Sequence, residues 1–204
     1  MPLYGFRGVY IAERHVNNGA VTYDAPITPG CPVRAQLEFQ FAEADFWCKD
    51  ALHIVKRKAT GGQVTFEAAY LSEACKKLAF GATEKTRSLT YNNASGTQVT
   101  TNAKSIVYSE GDQAPYVGFA GYGPDANSDG VDKFTAFFVG KTKFSPPSLN
   151  LQTINGSITF QTPTTTGRFM PDDVAGGVIQ EVGTFDTEEE AIAWCQAVFP
   201  QAGG

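Results

Sequence analysis

Residues Val33 to Phe41 (VRAQLEFQF) alternate apolar and polar without a break, placing Val33, Ala35, Leu37, Phe39 and Phe41 on one side. A period of two belongs to the extended chain, because successive side chains leave a strand on opposite faces. A helix over the same residues would scatter these five around its axis. The segment therefore commits the chain to a sheet with one buried face, and the remaining residues must supply its partners and its core.

Candidate partners lie on both sides. Gly5 to Arg14 (GFRGVYIAER) has strand composition and runs to Asn17-Asn18-Gly19, where Asn-Gly predicts a tight hairpin into Val21-Thr22-Tyr23. Pro26, Pro29 and Pro32 then interrupt the ladder, since proline cannot donate to it. Leu52 to Lys58 and Gln63 to Ala68 read as another strand pair, with Gly61-Gly62 as the expected turn. Further strands are expected at Tyr116–Ala120, Lys133–Lys141, Thr164–Phe169 and Val178–Val182, and a hairpin over Leu149–Phe160 turning at Asn155-Gly156. The Thr-, Ser- and Asn-rich stretch Ala82 to Ala103 has no apolar period and reads as a loop or an exposed hairpin.

Two segments change period. Leu71, Ala74, Cys75 and Leu78 share a helical face, and Gly81 supplies the stop. Near the end, Thr187 and Glu190 form a capping box that opens a helix over about 187–198, with Ala191, Trp194, Cys195 and Val198 inward. The 204 residues, 42% of them hydrophobic, suffice for a single domain over 1–204. The expected class is mainly β: an antiparallel β-sandwich or open barrel with one or two short flanking α-helices.

Chemistry is sparse. Asp125-Ala126-Asn127-Ser128-Asp129-Gly130 matches the first half of a calcium loop, but the twelfth position holds Ala136 in place of a bidentate Glu, so a polar turn is expected. Gly140-Lys141-Thr142 resembles the end of a phosphate-binding loop, yet Thr135 stands where that motif needs Gly. His15 and His53 are the only histidines, and neither has a nucleophile-elbow pattern or a metal spacing beside it. Cys31, Cys48, Cys75 and Cys195 contain no Cys-x-x-Cys pair, and reduced thiols are expected. Glu188-Glu189-Glu190 is accounted for by helix capping and the helix dipole. No catalytic, cofactor-binding or metal residue is assigned, and no cofactor is expected.

Charge points the same way. The net charge is −5, so the basic footprint of a nucleic-acid binder is missing. The one compact basic run, Lys56-Arg57-Lys58, reads as a charged strand end or hairpin tip. Charged residues are 18% of the chain, below the roughly 25% of ordinary soluble domains, as expected when neighbouring subunits cover surface. Met1 to Tyr10 has no charged start followed by an apolar run, so no signal peptide is expected, and no stretch has membrane-spanning length.

The order of short segments resembles the major tail proteins of siphovirus-type long-tailed bacteriophages. Tyr4 to Ala12 is similar to their opening strand, Ala44-Asp45-Phe46-Trp47-Cys48-Lys49-Asp50 to the segment leading into a long arm-like hairpin, and Val64 to Gly81 to a strand-then-helix unit. Asp112 to Gly118, Lys141 to Pro147, Gln152-Thr153, Ile158 to Pro163, Gly167-Arg168-Phe169 and Gly183 to Ile192 continue the series. One departure is Lys49-Asp50, where the family often carries an acidic pair, so the arm's ionic contacts are expected to differ.

The resemblance implies a tail-tube fold with an extended hairpin arm at about 45–66. It implies homo-oligomeric, six-membered rings stacked into the hollow tail tube of a virion, made in the host cytoplasm. The tape measure, tail terminator and distal tail proteins are then the implied partners, with DNA passing through the lumen unbound and no membrane involved. An acidic wall would suit such a conduit, because phosphates gain no counterion release from it. Phe46, Trp47, Lys56, Arg57 and Lys58 are the candidate inter-subunit contacts. The alternative is another virion or β-sandwich binding module, a decoration, tail-tip or carbohydrate-binding protein, using Phe46, Trp47, Tyr116, Phe119 and Tyr122 as an aromatic platform. A carboxylate hydrolase comes third.

Overall fold

A computed structural model describes residues 5–49, 51–126, 132–148, 153 and 161–201. The expected hairpin over Leu149–Phe160, and Asn127 to Gly130 of the calcium-like loop, lie outside these residues.

The fold is mainly β, an antiparallel sandwich with two short helices. The strands are β1 Gly8–Asn17, β2 Ala20–Tyr23, β3 Pro32–Cys48, β4 Ala51–Ala68, β5 Thr83–Asn92, β6 Gln98–Val107, β7 Val117–Asp125, β8 Lys133–Phe144, β9 Thr164–Phe169 and β10 Glu181–Phe185. The helices are α1 Glu73–Phe80 and α2 Glu188–Ala197. The main sheet runs β2-β1-β7-β8-β9-β4-β3 with β10 also paired to β8, while β5 and β6 form a separate two-stranded sheet among the described residues.

The expected local signals form where they act over a few residues. Asn18 and Gly19 turn β1 into β2 with φ of 51° and 77°, the left-handed pair that a two-residue hairpin needs. Ser72 caps α1 by accepting from the Cys75 N–H, and Gly81 ends it at φ 67°. The Thr187–Glu190 capping box opens α2, with both reciprocal hydrogen bonds made.

Around β1, β7 and part of β8 the sheet is buried on both faces. Val9, Ile11, Val64, Phe66, Val117, Phe119, Val139, Phe144 and Phe169 meet under α1, so β4 and β9 fold back across β1 and β7. On the other face Ala12, Tyr23, Ala120, Tyr122 and Phe138 pack against Ala191, Cys195 and Phe199 from α2 and the turn after it. β7 is enclosed from both sides, which is why its glycines sit in a strand. A Cβ on Gly121 would press on Phe6 and Phe137, and one on Gly118 on Phe199 and Tyr23.

Four expectations are corrected. Gly61-Gly62 is not a turn: β4 runs unbroken through it, paired to β3 from Pro32↔Ala68 to Cys48↔Ala51. The glycines instead permit close passage, since a Cβ on Gly61 would strike the Phe169 carbonyl and one on Gly62 the Glu38 carbonyl and the Phe169 ring. The hairpin turns between Cys48 and Ala51, with Lys49 at φ 52°, so Lys56-Arg57-Lys58 lies inside a strand and not at a tip. The last strand begins at Glu181 instead of Val178, because Val178 closes a loop in which the Gly177 N–H donates to the Asp172 carbonyl and the Asp172 N–H to the Val178 carbonyl. The strand expected at Tyr116–Ala120 extends to Asp125, where Gly123 packs on the backbone of Gly5.

Candidate functional site

Two hairpins project from this body. The first is the distal part of β3–β4. Opposed residues of an antiparallel pair share a face, so the register sorts the arm's side chains. One face carries Phe39, Phe41 with Ala59, Glu43 with Arg57, Asp45 with Val55, and Trp47 with Leu52. The other carries Ala42 with Lys58, Ala44 with Lys56, and Phe46 with Ile54. The basic run is thereby split: Arg57 lies over the Phe41 ring (5.2 Å to its centroid) and pairs with Glu43, while Lys56 and Lys58 face the opposite side. Thr60 is an extra residue between the Gln40↔Gly61 and Phe41↔Ala59 pairs, a bulge where the arm leaves the body.

The first face extends the core stripe. Ala35 and Leu37 pack against the core, Phe39 meets Phe169 edge-on at 5.4 Å and stacks toward Phe41 at 6.4 Å, and the row continues outward into solvent. Phe46 is 58% exposed and Trp47 61%, with Leu52, Ile54 and Val55 also exposed around them. Beyond the bulge about eight residues per strand extend the arm by roughly 27 Å.

The second hairpin, β5–β6, pairs Thr83↔Val107 through Asn92↔Gln98 without a register shift. One face is polar, with Thr86, Ser88, Thr90, Thr100 and Asn102; the other carries Leu89, Tyr91 and Val99, all exposed. Its base is fastened to α1 by Glu84, which accepts from Lys77 and pairs with Lys104 at 2.7 Å. Hydrogen bonding from Lys104 and then Lys77 pulls the Glu84 carboxyl down to about 2.

The five expected contact residues therefore share one arm, though on two faces. The aromatic platform does not assemble: Phe119 (1% exposed) and Tyr122 lie in the two cores, apart from Phe46 and Trp47 at the arm's end. Burial pushes the Tyr122 hydroxyl up to about 12, with Glu188 adding to the shift. Cys75 and Cys195 are buried thiols likewise raised to about 12 by desolvation, whereas Cys31 and Cys48 are exposed, and all four are free. Asp125 of the calcium-like segment is buried at the end of β7, with Oδ2 accepting from Thr135 and Oδ1 without a partner among the described residues. Gly140-Lys141-Thr142 lies within β8, not in a phosphate-cradling loop.

Sequence reasoning missed two groupings. Arg14 donates to both Asp172 oxygens at 2.8 and 2.6 Å inside the body, across 158 positions. Glu13, His15 and Asp24 bring carboxylates and a ring nitrogen within 4.8 Å of one another at the open edge of β1–β2, with His15 Nε2 3.0 Å from Asp24. The Asn-Gly turn fixes the latter register and could have signalled it. The chain matches no protein-family model and no curated protein.

Proposed function

We propose that this chain is a self-assembling structural protein, a tail-tube subunit of a siphovirus-type long-tailed phage, and not an enzyme. The observation that carries this reading is the pair of projecting hairpins whose exposed faces hold Phe41, Trp47, Leu52, Leu89 and Tyr91. A lone two-stranded hairpin is at best marginally stable in water, so arms of this length and composition are built to be covered. The long outer edge of β3, unpaired among the described residues, adds backbone groups that a second copy can pair. Low charge and the ordered sequence resemblance agree. Stacked, six-membered rings would cover arms and edges together, leaving a lumen for DNA. The tape measure, tail terminator and distal tail proteins would be the further partners, and the virion tail the location.

The test removes the arm without touching the core. Because Ala42 is paired with Lys58, residues Glu43 to Arg57 can be replaced by Asn-Gly. Wild-type protein at high concentration is expected to form rings or tubes of uniform diameter by negative-stain microscopy. The shortened variant is expected to keep its circular dichroism spectrum and Tm and to form no tubes. Normal tubes from the variant, or a wild type that stays monomeric in every condition, would overturn the reading.

A further inference from the structure

The outward face of the sheet carries a second charged feature, independent of the arms. In the ladders β8–β9–β4, Lys143 stands opposite Arg168, and Arg168 opposite Gln63. The three side chains thus lie in one row on one face, bordering an open groove of about 450 Å³ that Ser145, Thr166 and Met170 also line. Like charges directly opposed on a sheet repel. Among the described residues no acid forms a salt bridge with either cation. On the same face Glu38 accepts from Gln36 at 2.5 Å, and Glu67 accepts from the Thr162 hydroxyl. Lys141, two residues along β8, pairs with Asp173 at 2.7 Å. Among the described residues Lys143 has only the Tyr116 ring beneath its ammonium, 5.7 Å from the centroid, and Arg168 makes no ion pair.

We propose that this groove binds a phosphoryl oxyanion. Its chemistry matches the donors row by row. The guanidinium of Arg168 offers two parallel N–H groups to two oxygens, and Lys143 supplies a point charge to the third. The Gln63 amide and the Ser145 and Thr166 hydroxyls lie around the same groove as neutral donors. A free phosphate dianion cancels both cations at once, and a nucleic-acid backbone does so with two successive phosphodiesters, which a single carboxylate cannot do. The groove has room beyond the phosphoryl group, so the source is either free phosphate or the backbone of a nucleic acid.

The experiment uses the full chain, with two probes. Radiolabelled inorganic phosphate is followed by equilibrium dialysis, and a short fluorescein-labelled single-stranded oligonucleotide by anisotropy, at constant ionic strength set with chloride. Arg168→Gln and Lys143→Gln are each expected to weaken saturable binding by about tenfold or more, the loss of one charge-assisted contact. Arg168→Lys should weaken it less than Arg168→Gln, which keeps the test readable if the glutamine variant folds poorly. Lys85→Gln, a cation of the β5–β6 hairpin, should leave it unchanged. Binding of phosphate identifies free oxyanion as a ligand, and binding of the oligonucleotide alone identifies the polymer backbone. No saturable binding of either probe, or equal binding by wild type and the glutamine variants, overturns the site.

Discussion

The buried pair Arg14–Asp172 gives the sharpest energetic test of this fold. Both side chains are nearly inaccessible, 5% and 3% exposed, and are joined by two charge-assisted bonds. Asp172 does further local work, because its Oδ1 also accepts from the Val174 and Ala175 N–H groups. Arg14→Met strands a buried carboxylate, and Asp172→Asn strands a buried guanidinium while keeping an amide oxygen for the two N–H groups. Each single change should cost about 3–5 kcal/mol, the usual penalty for breaking a buried pair from one side. The double variant loses the same bonds but leaves no stranded charge, so it should cost about 3 kcal/mol, no more than either single change. The implied coupling is about 3–7 kcal/mol, at or above the upper end for neighbouring residues. Urea unfolding of the four proteins, at concentrations too low for assembly, measures it through midpoint shifts at constant slope. Additive costs, near 6 kcal/mol or more for the double variant, would refute the reasoning and leave a chain of ordinary stability close to unfolding.

Two other predictions follow from particular contacts. Glu84 holds its proton only near pH 2 in the folded chain, against an ordinary value near 4.5, so its contribution is complete above 4.5 and lost as pH falls toward 2. Pepsin should therefore cut within β5–β6 faster at pH 2 than at pH 4, and Glu84→Gln should flatten that difference; equal flattening in an Asp173→Asn control would rule the clamp out. Gly62→Ala should destabilise by about 1–3 kcal/mol, because the added methyl meets the Glu38 carbonyl and the Phe169 ring, whereas Gly111→Ala, with nothing near, should leave Tm unchanged.

Signals confined to a few residues were legible in the sequence. The Asn18-Gly19 turn, the Ser72 and Gly81 ends of α1 and the Thr187–Glu190 box act over at most four positions, where one backbone shape is cheaper than its rivals. The alternation of Val33 to Phe41 specified a strand, but of its apolar row only Ala35 and Leu37 pack against the core. Val33, Phe39 and Phe41 are exposed, the last two because the strand runs out past the body into the arm. The candidate arm contacts could be named, but their distribution over two faces depends on register and on the Thr60 bulge.

Tertiary structure decided the rest. Gly61-Gly62 carries a turn signal, yet Phe169 on one side and the Gln40 segment on the other make the extended passage cheaper than a turn. Ala82 to Ala103 has no period of its own, and its shape comes from pairing one polar strand with another. The Lys143–Arg168 row joins strands that the sequence keeps 25 positions apart (168 − 143), and no local pattern announces it. By itself the sequence determined a mainly β chain with two capped helices, because propensity, capping and alternation are local energies. Which strands pair, which glycines admit a neighbour and which charges end up opposed are set by contacts between distant segments, and those exist only once the sheet has closed.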